Sequence, residues 1–86
     1  MVKPVNFFCL APDASQVCLI GDFNNWDPCS HPMKRQPGGA WLIQVPLYHG
    51  NHHYQFLVDG KPILGPAANG IARNLLGERV SLRAVS

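Results

Sequence analysis

The chain of 86 residues has five carboxylates, Asp13, Asp22, Asp27, Asp59 and Glu78, four histidines and three cysteines with which to do chemistry. Glycoside hydrolysis needs two carboxylates facing each other across a cleft; here Asp59 falls in a tight turn and Asp13 in a loop. His31, His49, His52 and His53 invite a metal, yet the adjacent pair His52 and His53 would point to opposite faces of a strand. No acidic or thiol ligand lies at a supporting spacing, so no metal site and no cofactor are expected. Cys9, Cys18 and Cys29 include no CxxC, which predicts free thiols in a reducing compartment and a cytoplasmic location. With no Gly-rich phosphate loop and no Ser/His/Asp pattern, the chain is not expected to be an enzyme.

What remains is binding chemistry, concentrated in "VCLIGDFNNWDP", Val17 to Pro28. An apolar run gives way to a polar loop with Trp26 near its tip. Asn24, Asn25 and Asp27 favour turns and left-handed backbone, and Pro28 stiffens the exit. An indole held in such a loop offers a flat apolar face and one N–H donor. The axial C–H groups of a glucose ring present a matching surface. The other reading is that Trp26 folds back to cap the core.

The elements that must position this loop are short strands. Val5–Leu10 and Gln16–Gly21 are the first two, and Asp22–Pro32 is a long loop. A weak strand at Met33–Arg35 and a "QPGG" turn lead to Ala40–Leu47, where Trp41, Ile43 and Val45 alternate with Leu42 and Gln44. Trp41 reads as a partly buried sheet residue. After a "YHGN" turn, His52–Val58 sets Tyr54, Phe56 and Val58 on one face. Asp59-Gly60 then favours a type I′ hairpin into Lys61–Leu64. The last strand, Arg79–Val85, would point Val80, Leu82 and Ala84 inward and Arg79, Ser81 and Arg83 outward. Asn69–Leu76 has room for one helical turn at most. Eight glycines and eight prolines punctuate these runs. About seven short strands in under a hundred residues predict an all-β, immunoglobulin-like sandwich.

Composition narrows the partners. The net charge is +2 and the seven basic residues are scattered, so nucleic acid and acidic membrane surfaces are not expected partners. No apolar run approaches the roughly 20 residues of a membrane span, and the N-terminal stretch reads as a strand, not a signal peptide.

The blocks "LIGDFNNWDP", "HPMKR", "GGAWLIQVPLYHG", "HHYQFLVDGKPILGP" and "NLLGERVSL", in that order, resemble the glycogen- and starch-binding module family. This family includes the glycogen-binding domain of AMP-activated protein kinase β subunits and the N-terminal modules of branching enzymes and isoamylases. The resemblance runs from about Val17 to Val85. It implies an early-set immunoglobulin-like sandwich, with residues 1–86 forming a single carbohydrate-binding-module-like domain. It also implies that Trp26 is a solvent-facing sugar-stacking platform. Gln55 stands where the kinase modules carry a lysine that binds sugar hydroxyls, and it is still a hydrogen-bond donor but uncharged. Leu76 resembles the leucine that meets the curved glucan, and Asn25 is a further hydroxyl contact. Two departures weaken the pattern: Pro62 replaces a second tryptophan platform, and Gly65-Pro66 replaces an Asp-Pro pair.

The expected function is non-catalytic binding of α-1,4-glucan, that is glycogen, starch or maltooligosaccharide. The alternative is a protein-interaction module with a degraded sugar site, docking on an enzyme of glucan metabolism. Retained Trp26 favours the first reading and Pro62 the second.

Overall fold

A computed structural model describes residues 2–28, 30–65, 70–73 and 76–86. Eight strands run in chain order: β1 (Val2–Leu10), β2 (Val17–Gly21), β3 (Lys34–Arg35), β4 (Ala40–Tyr48), β5 (Gly50–Val58), β6 (Lys61–Ile63), β7 (Gly70–Arg73) and β8 (Arg79–Val85). They form two antiparallel sheets. The first has the order β1-β4-β3; the second has the order β2-β5-β8-β7, with β6 also paired to β5. There is no helix among the described residues, and none is long and apolar enough to cross a membrane. The fold is the all-β sandwich that the alternation predicts.

Period-two patterning decides which side chains meet between the sheets. Val5, Phe7 and Cys9 from β1 and Trp41, Val45 and Leu47 from β4 face Val17 and Leu19 of β2 and Tyr54 and Phe56 of β5. Phe7 and Tyr54 pack edge to face with ring centroids 4.9 Å apart, and Tyr54 and Phe56 do so at 5.5 Å. Such pairs add to what burial alone contributes. Trp41, expected to be partly buried, is buried outright; its indole N–H donates to the Ala11 carbonyl at 3.0 Å, and Arg35 lies over its ring. Cys9 and Cys18 are buried free thiols, and burial pushes the Cys9 thiol up. Cys29 lies outside the described residues.

Asp59-Gly60 makes the tight β5–β6 turn with both residues at positive φ, 49° and 83°, as a type I′ hairpin requires. Asp59 does a second job. Its Oδ1 accepts the Ser15 and Gln16 N–H groups, each at 2.9 Å, and so ties the β1–β2 connection to this hairpin.

Three expectations need correction. Strands β1 and β5 start earlier, at Val2 and Gly50, because pairing with β4 and β8 carries the ladders past the recognisable alternation. Gly70–Arg73, expected to hold at most a helical turn, is strand β7 on the edge of β8. Asn69, Asn74 and Leu75 of that segment lie outside the described residues. Lastly, β8 sits in the opposite phase. Ser81 pairs with Tyr54 and is fully buried, whereas Ala84 is exposed and Val85 buried. Polarity alone put Ser81 outside; its hydroxyl in fact accepts the Gly65 N–H at 2.6 Å. Arg83, also expected outside, is half-buried with its guanidinium 5.6 Å from the Phe7 ring centroid. Val80, expected to point inward, is buried but on the outer side of the second sheet, and Leu82 on that side is half-buried.

Candidate functional site

The Trp26 loop is anchored at both of its shoulders. Gly21, the last residue of β2, accepts the N–H groups of Asn24 at 3.2 Å and Trp26 at 2.9 Å, and Asp27 N–H donates to Asn24 carbonyl at 3.1 Å. The Asn24 side chain closes the loop from inside. Its Oδ1 accepts Gly21 N–H at 3.0 Å, and its Nδ2 donates to the Leu19 carbonyl at 3.1 Å and lies 2.9 Å from His31 Nδ1. Asn25 and Trp26 are then turned into left-handed backbone, φ 56° and 58°. That conformation is uncommon for a bulky side chain, so the hydrogen bonds hold the tryptophan in a conformation it would not choose alone.

Phe23 pins the loop to the core. Its ring stacks on Phe7 at 5.9 Å and meets His31 and His52 edge-on. Gly21 leaves the room for this: a Cβ there would collide with the Phe23 ring and the His53 carbonyl. Next to it, Asp22 receives two imidazoles, His53 Nδ1 at 3.2 Å and His52 Nδ1 at 3.6 Å, and its Oδ2 also accepts the His53 N–H at 2.9 Å. The two histidines, although adjacent on β5, thus reach the two oxygens of one carboxylate. No group of three or more His, Cys, Asp or Glu among the described residues is arranged to hold a metal.

Each predicted contact residue has a definite setting. Asn25 is exposed, but Trp26 is half-buried, so the fully solvent-facing platform expected from the sequence is corrected to an indole with one part covered. Gln55 pairs with Ile20, one rung in from Gly21, which brings it to the same end of the second sheet as the Trp26 loop. Its Nε2 already donates to the Arg79 carbonyl at 3.0 Å. A second N–H and the Oε1 remain its means of meeting a hydroxyl. Leu76 is 84% exposed in the β7–β8 connection. Pro62 pairs with Leu57 on the outer side of the same sheet and is exposed. A shallow cavity of about 220 Å³ lies nearby, lined by Gln16, Cys18, Pro28, Leu57 and Gly60. Gly65 packs against the Tyr54 ring, where any Cβ would meet the phenol oxygen at 2.6 Å; Pro66 lies outside the described residues.

Sequence reasoning missed Phe23 as the anchor of the loop, and it read Asn24 as a turn former without the side-chain bonds by which it closes the loop. Both stand in the "GDFNNW" block, where an aromatic directly after Gly-Asp signals a core anchor. It also passed over the outer face of the first sheet. There Phe8, Leu10, Leu42 and Tyr48 all remain exposed.

Residues 1–74 match the family described as Carbohydrate-binding module 48 (Isoamylase N-terminal domain). The chain is 36% identical over 72 residues to a 1,4-alpha-glucan branching enzyme GlgB 2 of Xanthomonas campestris pv. campestris, covering 80% of the chain and 10% of that enzyme. It is 37% identical over 75 residues to the GlgB 2 of Xanthomonas oryzae pv. oryzae, covering 84% and 10%. With the GlgB of Rhodopseudomonas palustris strain BisA53 the identity is 42% over 55 residues, covering 64% and 8%. The chain thus spans about a tenth of the length of these relatives.

Proposed function

The chain belongs to the carbohydrate-binding module 48 family, and from that premise we propose that it binds α-1,4-glucan without catalysing its turnover. The observation that carries this reading is the Trp26 loop: an indole fixed by three main-chain anchors at the end of a sheet, beside Asn25 and Gln55. A prearranged aromatic loses little conformational freedom when a sugar ring stacks on it. The exposed part of the Trp26 ring would take the apolar face of one glucose unit. Asn25 and the free N–H and Oε1 of Gln55 would meet its hydroxyls, and Leu76 would lie against the next turn of the glucan. The similar enzymes are 1,4-alpha-glucan branching enzymes, which supports α-glucan as the ligand class.

With one aromatic platform and an amide already half engaged, affinity is expected near the millimolar range, about 4 kcal/mol of binding free energy. Affinity electrophoresis through an amylopectin gel tests the reading. The wild type should be retarded, and Trp26→Ala should migrate as it does in a gel without polysaccharide while keeping a folded spectrum. Equal mobility of the two proteins with and without amylopectin would remove this reading.

One observation favours the second reading, a protein-interaction module docking on an enzyme of glucan metabolism. Pro62 stands where the resemblance calls for a second aromatic. If wild type fails to bind glucan and Pro62→Trp restores binding, the second reading holds.

A further inference from the structure

We propose that the groove where β3 leaves β4 is a second glucan-contact site, on the sheet opposite the Trp26 loop. The inference rests on the α-glucan reading for its ligand class, but its geometry is independent of that loop. The groove encloses a cavity of about 340 Å³ lined by Pro32, Lys34, Gln36, Leu42, Ile43 and Gln44, a volume in the range of small-ligand sites.

Backbone pairing explains why the groove is there. Gln36 N–H donates to the Ala40 carbonyl at 2.7 Å, which makes that rung a hydrogen-bonded one. Rungs of an antiparallel ladder alternate, so Lys34–Leu42 is the next hydrogen-bonded rung. Two residues on, Gln44 turns its own N–H and C=O to the same side. The residue facing it in this register is Pro32, which has no N–H. Pro32 is bridged instead to Cys18 in the other sheet, and its neighbours follow it across: Met33 N–H donates to the Val17 carbonyl and Leu19 N–H to that of His31. The chain before β3 therefore peels away and leaves the Gln44 main-chain donor and acceptor without a strand partner on that side.

The lining chemistry matches a neutral, polyhydroxylated ring. Leu42 and Pro32 make an apolar floor, extended by Phe8, which sits opposite Leu42 on the same face and is 50% exposed, while Ile43 borders the groove from β4 with its side chain turned to the core. Lys34, Gln36 and Gln44 stand around it; one amide N–H of Gln36 donates to the Lys34 carbonyl and one of Gln44 to Asn6 Oδ1, which leaves each a second N–H and its Oε1, and no carboxylate is among the lining residues. Vicinal hydroxyls of one glucose unit can accept the Gln44 N–H and donate to its C=O while the ring lies on the floor. The same edge is poorly suited to a peptide strand. Pro46, the next residue of β4 turned to that side, cannot donate, and Leu42 is already paired, so between them only Gln44 offers both a donor and an acceptor. A module with contacts on both outer faces would bridge two glucan chains.

The test is a titration of the ¹⁵N-labelled chain with maltoheptaose, read by amide shifts, with cellohexaose as the β-linked control. The variant Lys34→Ala/Gln36→Ala/Gln44→Ala alters side chains outside the core cluster, and its melting temperature reports its folding. The expected result is shifts at Lys34, Leu42 and Gln44 that persist in Trp26→Ala and weaken about tenfold in affinity in the triple variant. The shifts around Trp26 and Gln55 should be the same in the triple variant as in wild type. Shifts around Trp26 without any at the groove would overturn this inference and leave the α-glucan reading standing. Absence of both sets at about ten times the millimolar dissociation constant would overturn the two together. Equal groove shifts with cellohexaose would overturn the α-glucan assignment of the groove, as would groove shifts caused more strongly by reduced, carboxymethylated α-lactalbumin, an unfolded polypeptide.

Discussion

The two outer faces of the sandwich are finished in opposite ways. On the second sheet, the outward residues Cys18, Ile20 and Val80 are buried, and Gln55 and Leu57 are half-buried. On the first sheet, the outward residues Phe8, Leu10, Leu42 and Tyr48 stay open to solvent. The covered face carries a preset loop whose polar groups are largely spoken for within the protein. The open face carries unpaired main-chain groups and uncovered apolar surface. Preorganisation and availability are thus divided between the two sheets, which the shared core holds back to back.

The largest effect comes from breaking both faces at once. Phe56 is 1% exposed between the sheets, so Phe56→Ala should cost about 3–5 kcal/mol. A domain this small has little stability to spare, and loss of near-ultraviolet circular dichroism across all aromatics is the expected readout. The covered face alone is disturbed by Gly21→Ala, which forces the new methyl against Phe23 and should cost about 1–3 kcal/mol. Asn24→Ala, which strips three contacts from the loop, should cost about 1–3 kcal/mol as well. In both variants, amide exchange should quicken in residues 21–27 and stay unchanged in β1 and β4; acceleration in both sheets would contradict the division drawn above.

A smaller effect is set by pH. Burial raises the Tyr54 phenol above its ordinary value of 10.0, partly offset by Arg83 and by the hydrogen bond to Ser81. The folded protein therefore keeps the proton to higher pH than the unfolded chain does. This contribution is complete below the unfolded pKa and is lost as pH rises from about 10 through the folded value. Tyr54→Phe should flatten that alkaline loss in a plot of urea midpoint against pH, at some cost in stability at neutral pH. The smallest expected effect is none: Cys9 and Cys18 are free, so adding reductant should leave the melting temperature of the monomer where it is.

Much of this was legible in the sequence where the residue pattern and the fold ask for the same thing. Trp41, Val45, Tyr54 and Phe56 alternate strictly and are all inside, and Asp59-Gly60 forms the expected turn. The phase of β8 was not legible, because Ser81 is polar and its burial depends on the Gly65 main chain arriving from a distant connection. Strand β7 was hidden for a similar reason: "GIAR" has no alternation, and only β8 makes it a strand. At the candidate site, the loop and its glycine, asparagines and tryptophan were readable as a unit. The half-burial of Trp26 and the engagement of Gln55 with Arg79 were not, since both arise from segments remote in sequence.

The most direct test of the α-glucan reading uses the two tryptophans as each other's control. The Trp41 indole N–H is buried and bonded to the Ala11 carbonyl, whereas Trp26 is half-buried in the loop proposed to bind glucan. In a ¹⁵N correlation spectrum, titration with maltoheptaose should move the Trp26 indole resonance to saturation near the millimolar range and leave that of Trp41 in place. A Trp26 resonance that stays fixed throughout the titration, in a folded protein, would contradict the account.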